Sequence, residues 1–318
     1  MSPPSTLPLT VIALGGNALL QRGEHGTFDE QYRNVRRTMS QVADVIAGGQ
    51  RLLLTHGNGP QIGATLIRHE LAGQTVPAFP LHACGAETQG FLGYVIQQSL
   101  QSELAERGRD TSVVTLITEV VVDANDPAFR NPTKPIGPFY PERQAHRLSL
   151  ERRDLVLKED SGRGYRRFVP SPDPKSIQEG QAIHALVDRG VVVIACGGGG
   201  IPVTRSNGNL VGVEAVIDKD LAAERLATSM KASTLAIMTD VDGTFLNYGR
   251  DNQRLLARIG REELEKYAGE GHFASGSMGP KVEAVLRFLR NGGHRAVIGN
   301  LGNLKDALNG KVGTQITS

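Results

Sequence analysis

The chain has 318 residues, 39% of them hydrophobic, and 35 basic against 33 acidic residues leave a net charge of only +2. This length suffices for about two domains or one large two-lobed α/β unit, and the balanced charge, which forms no basic stripe, argues against a nucleic-acid partner. We expect neither a signal peptide nor a membrane span, and the unclustered Cys84 and Cys196 are typical of small buried side chains in a reducing cytoplasm rather than of a disulfide or metal site.

Predicted strands and helices alternate along the chain. The segment LTVIAL predicts a buried strand, and the helix after it begins at a capping box made by Thr27 and Glu30. A longer helix is expected at 86–107, and further strands are predicted in RLLLTH, SVVTLIT, VVVIAC, STLAIM and HRAVIGN. This alternation predicts an open, mostly parallel sheet with helices on both faces.

One stretch, from about residue 125 to 176, interrupts the alternation. It holds eight of the 16 prolines, together with charge-rich segments such as LERRDLVLKED. A structureless loop of that length is unusual in a compact domain. We therefore predict a small protruding subdomain with strands of its own, within an N-terminal lobe of residues 1–205. A C-terminal lobe of residues 206–318 would follow it.

Three glycine-rich turns follow predicted strands, at 15–17, 57–59 and 197–200. In an open parallel sheet, ligands bind at the carboxyl ends of the strands, and glycine lets backbone N–H groups approach an anion closely. No turn matches the P-loop or the dinucleotide fingerprint. The three turns together favour an anionic ligand, while the alternative for each is an ordinary tight turn.

Two lysines are predicted at the ends of helices that repel cations. Asp218 is a suitable N-cap for a helix whose first turn contains Lys219. Pro280 suits the first position of a second helix, directly before Lys281. The helix dipole disfavours a cation there by roughly 0.3–1 kcal/mol, but a bound phosphate would reverse that balance. The pair predicts phosphoryl transfer, and the alternative is two ordinary surface lysines.

Neighbouring side chains add to this hypothesis. The flanking Asp218 and Asp220 can orient Lys219 or accept a hydrogen bond from Lys281, and the alternative is ordinary N-terminal capping, which explains Asp218 better than Asp220. No histidine is placed as an obligatory base, and His56, beside the second glycine turn, either touches a ligand or buttresses the turn. Because each lysine is unfavourable without a ligand, we expect its removal to lower activity while costing little stability.

Nine segments, in order from about residue 9 to the C terminus, resemble those of the carbamate kinases in the amino acid kinase superfamily. They are ALGGNALLQRGE, HGNGPQIG, GAETQGFLGY, NPTKPIGP, VPSPDPKSI, CGGGGIPV, GVEAVIDKDLAAERLA, TDVDG and FASGSMGPKVEA. The glycine turns and the DKD element alone would indicate only the superfamily. The segments PTKPIGP and PSPDPK are similar to carbamate kinases in particular.

The resemblance implies an αβα sandwich and reversible phosphoryl transfer between ATP and carbamate, giving ADP and carbamoyl phosphate. It also implies a cytoplasmic homodimer without protein metal ligands, with Mg²⁺ held mainly by phosphates and water, and a use in forming ATP during arginine or purine and allantoin breakdown. Carried over by motif, the catalytic residues would be Lys134, Lys219, Lys281 and Asp220. The residues lining the carbamate and phosphoryl pocket would be Gly15, Gly16, Asn17, Gly57 and Asn58. The residues holding the nucleotide would be Asp240, Tyr248, Ala274, Met278 and Gly279.

Other functions stay open at this point. An N-acetylglutamate or nucleoside monophosphate kinase would share the turns and lysines but should lack the PTKPIGP segment. A nucleotide-binding sensor without turnover would not need Lys219, Asp220 and Lys281 intact. A role like that of carbamoyl phosphate synthetases on the same scaffold is a further alternative.

Overall fold

The structure is a computed structural model that describes residues 7–21, 23–153, 155–160, 162–274 and 276–318; the side chain of Asn17 lies outside this description. The helices are α1 (Phe28–Ala47), α2 (Gly59–Ala72), α3 (Leu81–Glu106), α4 (Glu142–Glu151), α5 (Gly180–Asp188), α6 (Lys219–Ser229), α7 (Arg261–Gly269), α8 (Met278–Arg290) and α9 (Leu304–Leu308). The strands are β1 (Leu9–Leu14), β2 (Arg51–His56), β3 (Val113–Thr115), β4 (Glu119–Val122), β5 (Lys134–Tyr140), β6 (Val156–Glu159), β7 (Tyr165–Val169), β8 (Pro174–Ile177), β9 (Val192–Ile194), β10 (Ile201–Ser206), β11 (Asn209–Gly212), β12 (Thr234–Thr239), β13 (Phe245–Leu246), β14 (Arg254–Leu255), β15 (Arg258–Gly260), β16 (Arg295–Asn300) and β17 (Thr314–Thr317).

The central sheet orders eight strands of the described chain as β15-β17-β16-β12-β1-β2-β9-β3. Its neighbouring strands are parallel except for β16 and β17, which pair antiparallel. The carboxyl ends of β1, β2, β9 and β12 therefore meet at one edge, where the predicted glycine turns begin. This arrangement confirms the predicted open, mostly parallel sheet.

Helices cover both faces of this sheet. Along β1, Val11 and Ala13 join a core that also contains buried side chains of α6 and α8. The alternate residues Ile12 and Leu14 join a second core with α1 and α3. A strand buried on both faces is apolar throughout, which explains why LTVIAL reads as a continuous hydrophobic run.

The helix ends test the local sequence signals. The capping box at Thr27 and Glu30 is present in both directions, as predicted. Helix α3 begins at Leu81, five residues before the predicted start, because the Glu214 carboxylate accepts the Leu81 N–H at 2.8 Å. That cap comes from a distant part of the chain, so local pattern could not reveal it. No helix of the described chain is both long and apolar enough to cross a membrane.

The proline-rich stretch forms small strands of its own, as predicted. Strands β5, β7 and β6 make a three-stranded antiparallel sheet, and the unpredicted helix α4 packs against it. We call this unit, residues 134–169, the arm. A further sheet orders β11-β10-β4-β8 beside the central one. Lys134 is the first residue of β5, so it lies where the arm leaves the body of the protein.

Candidate active site

A buried carboxylate joins the two lysines that the sequence singled out. Asp220 Oδ1 accepts a hydrogen bond from Lys219 Nζ at 2.8 Å, and its Oδ2 accepts one from Lys281 Nζ at 2.9 Å. Asp220 is only 2% exposed. The geometry arises because α6 and α8 pack side by side with their N-termini close together. The predicted bridging role of Asp220 is therefore present in the structure.

A second carboxylate connects the arm to the same helix. Asp218 Oδ1 caps α6 by accepting the Asp220 N–H at 2.9 Å and the Leu221 N–H at 3.4 Å. Its other oxygen, Oδ2, accepts a hydrogen bond from Lys134 Nζ at 2.6 Å. Sequence reasoning expected Asp218 to cap the helix, to orient Lys219 or to bind Lys281, and it did not identify Lys134 as a partner of Asp218. The available signal was that capping uses one carboxylate oxygen and leaves the second for another partner.

Burial and charge set the protonation of this cluster. Burial opposes the charge on Asp220, but the ammonium groups of Lys219 and Lys281 outweigh it and hold the pKa of that carboxyl well below its usual range. Burial lowers the pKa of Lys219, with Asp220 opposing the shift. Burial also works against the charge of Lys281, but the nearby carboxylates, Asp220 foremost, outweigh it and raise the pKa. Two ammonium groups facing one carboxylate leave a net positive charge for an anion.

The first two glycine turns border Lys219. A Cβ added to Gly57 would lie 3.1 Å from Lys219 Cδ and 3.8 Å from the backbone nitrogen of Gly16. A Cβ on Gly15 would lie 2.8 Å from the carbonyl oxygen of Met238, at the end of β12. A side chain at Gly15 would therefore collide with the backbone of β12, and one at Gly57 would crowd the Lys219 side chain. The predicted side-chain contact of Asn17 lies outside the described residues.

The second turn is completed by Asn58, whose buried Nδ2 donates to Thr88 Oγ1 at 2.8 Å. This bond ties the start of α2 to α3. His56, directly before the turn, is buried, and burial foremost, with the charge of Lys219, lowers its pKa to about 4. Its Nδ1 donates to the Gly57 carbonyl oxygen at 2.9 Å. A neutral, engaged imidazole supports the turn, which agrees with the buttressing alternative.

The third glycine turn has a different role from the one expected. Gly198, Gly199 and Gly200 all have positive φ, and the turn is buried. A Cβ on Gly197 would overlap the His56 ring, and one on Gly198 would overlap the Asn58 amide. The turn therefore packs beneath the second turn and supports it. The residues that line the cleft described next belong to none of the three glycine turns.

A cleft of about 800 Å³ extends from the three lysines along the C-terminal part of the chain. Four predicted nucleotide residues line it, namely Asp240, Tyr248, Ala274 and Met278. Gly279 lies just behind, and its N–H donates to the Ala274 carbonyl oxygen at 2.8 Å. Sequence reasoning did not name the other lining residues. Thr239 and Phe273 begin the segments TDVDG and FASGSMGPKVEA, whereas Phe245, Asn247, Arg250 and His272 lie outside the quoted segments.

The start of α8 differs from the prediction. The helix begins at Met278, so Pro280 occupies its third position and not its first. Proline is tolerated there because the first four N–H groups of a helix have no partner within the helix. Lys281 still lies in the opening turn, where the dipole is positive.

Comparison with known proteins agrees with this geometry. The model of the Amino acid kinase family matches residues 8–300. The carbamate kinase of Pyrococcus horikoshii is 55% identical over 310 residues, 96% of this chain and 98% of its own length. That of Trichomonas vaginalis is 49% identical over 309 residues, 96% of this chain and 98% of its own. The solved structure of carbamate kinase from Giardia lamblia bound to AMP-PNP has a TM-score of 0.91 and 43% identity, and the match covers 98% of this chain and 99% of that one. This chain therefore belongs to the carbamate kinases, ATP-using phosphotransferases of the amino acid kinase family.

Proposed function

We propose that Lys219, Lys281 and Lys134 carry out phosphoryl transfer between ATP and carbamate, and that the chain works mainly to form ATP from carbamoyl phosphate. The observation that carries this proposal is the buried Asp220, which holds two ammonium groups at 2.8 and 2.9 Å at one end of a cleft of nucleotide size. The accompanying metabolic role, ATP recovery in the cytoplasm during arginine or purine and allantoin breakdown, belongs to the same proposal.

The chemistry needs positioning and charge neutralisation more than covalent catalysis. In the direction of ATP formation, a β-phosphate oxygen of ADP attacks the phosphorus of carbamoyl phosphate. The bond from phosphorus to the carbamate oxygen breaks, and its electron pair leaves on carbamate. Lys219 and Lys281 would donate hydrogen bonds to the oxygens of the transferring group, where negative charge is concentrated. Asp220 fixes both ammonium groups before substrate arrives.

The histidine beside the glycine turns is not placed as a base, which fits this acceptor. Carbamate already carries a negative oxygen, so its attack on the γ-phosphorus of ATP requires no proton removal. A kinase that phosphorylates a hydroxyl usually needs a general base. His56, the histidine beside the glycine turns, is neutral, buried and donates to Gly57. Lysines and backbone donors therefore suit an anionic acceptor.

The two substrates would meet at the lysines from opposite sides. Backbone N–H groups of the turns at 15–17 and 57–58 would hold carbamate or its phosphate, since the turns lie beside Lys219 at the ends of β1 and β2. The N–H of Gly57 is the exception, because it donates to the Leu14 carbonyl oxygen at 3.1 Å. ADP or ATP would occupy the cleft lined by Asp240, Tyr248, Ala274 and Met278, with Gly279 behind them. This arrangement corresponds to an acceptor lobe of residues 1–205 and a nucleotide lobe of residues 206–318.

The residues near the phosphate end fit Mg²⁺ carried by the nucleotide. The carboxylates of Asp218 and Asp220 are engaged by lysines, and Asp240 Oδ1 accepts the Thr239 hydroxyl at 3.0 Å. Mg²⁺ usually keeps several waters and binds substrate phosphates. When bound, it would neutralise phosphate charge, and phosphates with water would supply most of its ligands.

A homodimer is part of the proposal, and one surface suits it. Phe28, Phe91 and Tyr94 are exposed on α1 and α3, and the rings of Phe28 and Phe91 lie 6.3 Å apart. Strand β3, which packs against α3, forms one edge of the central sheet. Exposed aromatic patches commonly mark protein interfaces. We expect a dimer by light scattering and a monomer for Phe91→Asp with Tyr94→Asp; a wild-type monomer would contradict this.

The direct test mixes purified protein with ADP, Mg²⁺ and carbamoyl phosphate and measures ATP. Turnover of order 1–10³ per second is expected. Lys281→Ala is the matched control, because it removes one ammonium group and should abolish most of the signal. ATP with N-acetylglutamate or a nucleoside monophosphate as acceptor should give no transfer. If folded protein forms no more ATP than the uncatalysed background, the proposal is wrong.

A further inference from the structure

Away from the active site, α2 and α3 bring three metal-ligating side chains together. His69 Nε2, Cys84 Sγ and a carboxylate oxygen of Glu87 all lie within 4.8 Å of one another. The His69 and Glu87 side chains are already in contact, with Nε2 3.0 Å from Oε2. Cys84 and Glu87 are three residues apart on α3, so they share one face of the helix.

We propose that His69, Cys84 and Glu87 form a binding site for Zn²⁺ or a similar transition-metal ion, separate from the Mg²⁺ of the nucleotide. An imidazole nitrogen, a thiolate and a carboxylate are the ligands that Zn²⁺ prefers, whereas Mg²⁺ takes oxygen ligands. The proposal revises the expectation that neither cysteine joins a metal site. The three residues are adjacent only after two helices pack, so their spacing in the sequence does not resemble a zinc motif.

The geometry requires only a small adjustment. Around a tetrahedral ion with Zn–N, Zn–O and Zn–S bonds of about 2.0–2.3 Å, neighbouring ligand atoms lie roughly 3.4–3.6 Å apart. The 3.0 Å between His69 and Glu87 is close to that separation. The Cys84 sulfur, at most 4.8 Å from the other two atoms, must move inward by about 1 Å. Its hydrogen bond in the structure is a weak 3.8 Å contact to the Phe79 carbonyl oxygen.

An ion can reach the site and would be attracted to it. A cavity of about 440 Å³ is lined by His69 and Glu87, which leaves room for a water as fourth ligand, while the third ligand, Cys84, is fully buried. Burial, with the charges of Glu87 and Glu214, raises the pKa of the Cys84 thiol to about 11. The same carboxylates favour an arriving cation, while Arg68, which lines the cavity, and Arg167 oppose it.

The proposed metal site lies next to the hydrogen bond that joins the second glycine turn to α3. Glu87 precedes Thr88, whose hydroxyl oxygen accepts the Asn58 amide at 2.8 Å. An ion bridging α2 and α3 would brace this junction. Metal binding to the native state alone should raise the thermal midpoint in the absence of nucleotide.

The test uses full-length protein without a histidine tag, stripped of metal, and Co²⁺ as the spectroscopic probe. We expect one equivalent of Co²⁺ to give a near-ultraviolet thiolate-to-metal charge-transfer band, which Zn²⁺ displaces and Mg²⁺ does not. Cys84→Ser should abolish the band. His69→Gln and Glu87→Gln should each weaken Co²⁺ affinity by at least tenfold, the lower end of the loss seen even for outer-shell partners.

His184→Gln is the matched control. His184 Nδ1 lies 2.9 Å from Asp188 Oδ2 on α5, a partly exposed histidine–carboxylate pair on another helix. Its loss should leave the band and the affinity unchanged. No thiolate band at millimolar Co²⁺, or a band that persists in Cys84→Ser, would overturn the proposal. If Cys84→Ser does not fold, wild-type affinity in both His69→Gln and Glu87→Gln would overturn it equally.

Discussion

The position of the arm depends on close contact between two glycines, and Gly63→Ala tests it. A Cβ added to Gly63 in α2 would lie 2.4 Å from Cα of Gly137 in β5 and 2.7 Å from its nitrogen. Carbon atoms in ordinary contact are about 3.5–4.0 Å apart, so the arm must retreat by roughly 1 Å. Gly137 is three residues from Lys134, whose Nζ lies 2.6 Å from Asp218. The substitution should therefore displace Lys134 from the site.

The expected magnitude follows from that displacement. A misplacement of about 1 Å can cost on the order of 10² in rate, which corresponds to about 2.7 kcal/mol in the barrier. The affinity for ADP should change little, because the nucleotide cleft is formed mainly by C-terminal segments. Stability should fall as well, because the atoms that clash belong to the backbone of β5, and the helix preference of alanine over glycine, up to about 1 kcal/mol, offsets only part of that clash.

The assay measures kcat for ATP formation, ADP affinity by calorimetry and the thermal midpoint of Gly63→Ala. Gly180→Ala is the control, since Gly180 is also a helical glycine and a Cβ there meets no atom within 4 Å. The control should match wild type in all three measurements. A wild-type kcat for Gly63→Ala would refute the reasoning. A loss of ADP affinity as large as the loss of kcat would also refute it.

Three other predictions concern the charged cluster. Lys134→Ala should slow transfer strongly with ATP affinity unchanged, and Lys134→Arg should recover little because a planar fork does not replace a compact ammonium; wild-type kcat for Lys134→Ala would exclude a role of Lys134 in transfer. Lys219→Ala or Lys281→Ala should lower kcat by about 10²–10³, or roughly 2.7–4 kcal/mol, and normal turnover would make these lysines structural. The lowered pKa of Asp220 means that its contribution to stability is complete above its unfolded pKa of about 3.9 and is lost as pH falls through the lower folded pKa. Thermal midpoints of Asp220→Asn should therefore depend less on pH below about pH 4 than those of wild type, and equal slopes would contradict the ion-pair geometry.

Local signals predicted much of this molecule, and long-range contacts account for the misses. The Thr27 capping box and the alternating burial of β1 involve only neighbouring residues, so the sequence pattern was sufficient. The early start of α3 depends on Glu214, which is 133 residues from Leu81. The pairing of Lys134 with Asp218 spans 84 residues. Such partners have no spacing rule, because the fold alone brings them together.

The stability expectation for the two lysines also needs the structure. From the helix dipole alone, removing Lys219 or Lys281 would be neutral or slightly stabilising. Each lysine, however, also balances Asp220, and a buried carboxylate that loses a partner is destabilising. Both ammonium groups are partly open to the cleft, at 16% and 14% side-chain exposure, so water limits this cost. We now expect a modest fall in the thermal midpoint, smaller than the effect on kcat.

Asp220 explains why two cations can lie where helix dipoles oppose them. It supplies negative charge to both ammonium groups at 2.8 and 2.9 Å, yet one carboxylate cannot neutralise two ammonium groups. The remaining positive charge is fixed in place before a phosphate arrives, so little reorganisation is required during transfer. Asp218 also bridges two partners, since one of its oxygens caps α6 while the other accepts a hydrogen bond from Lys134 of the arm. The position of the arm and the alignment of the lysines therefore both depend on the N-terminus of α6.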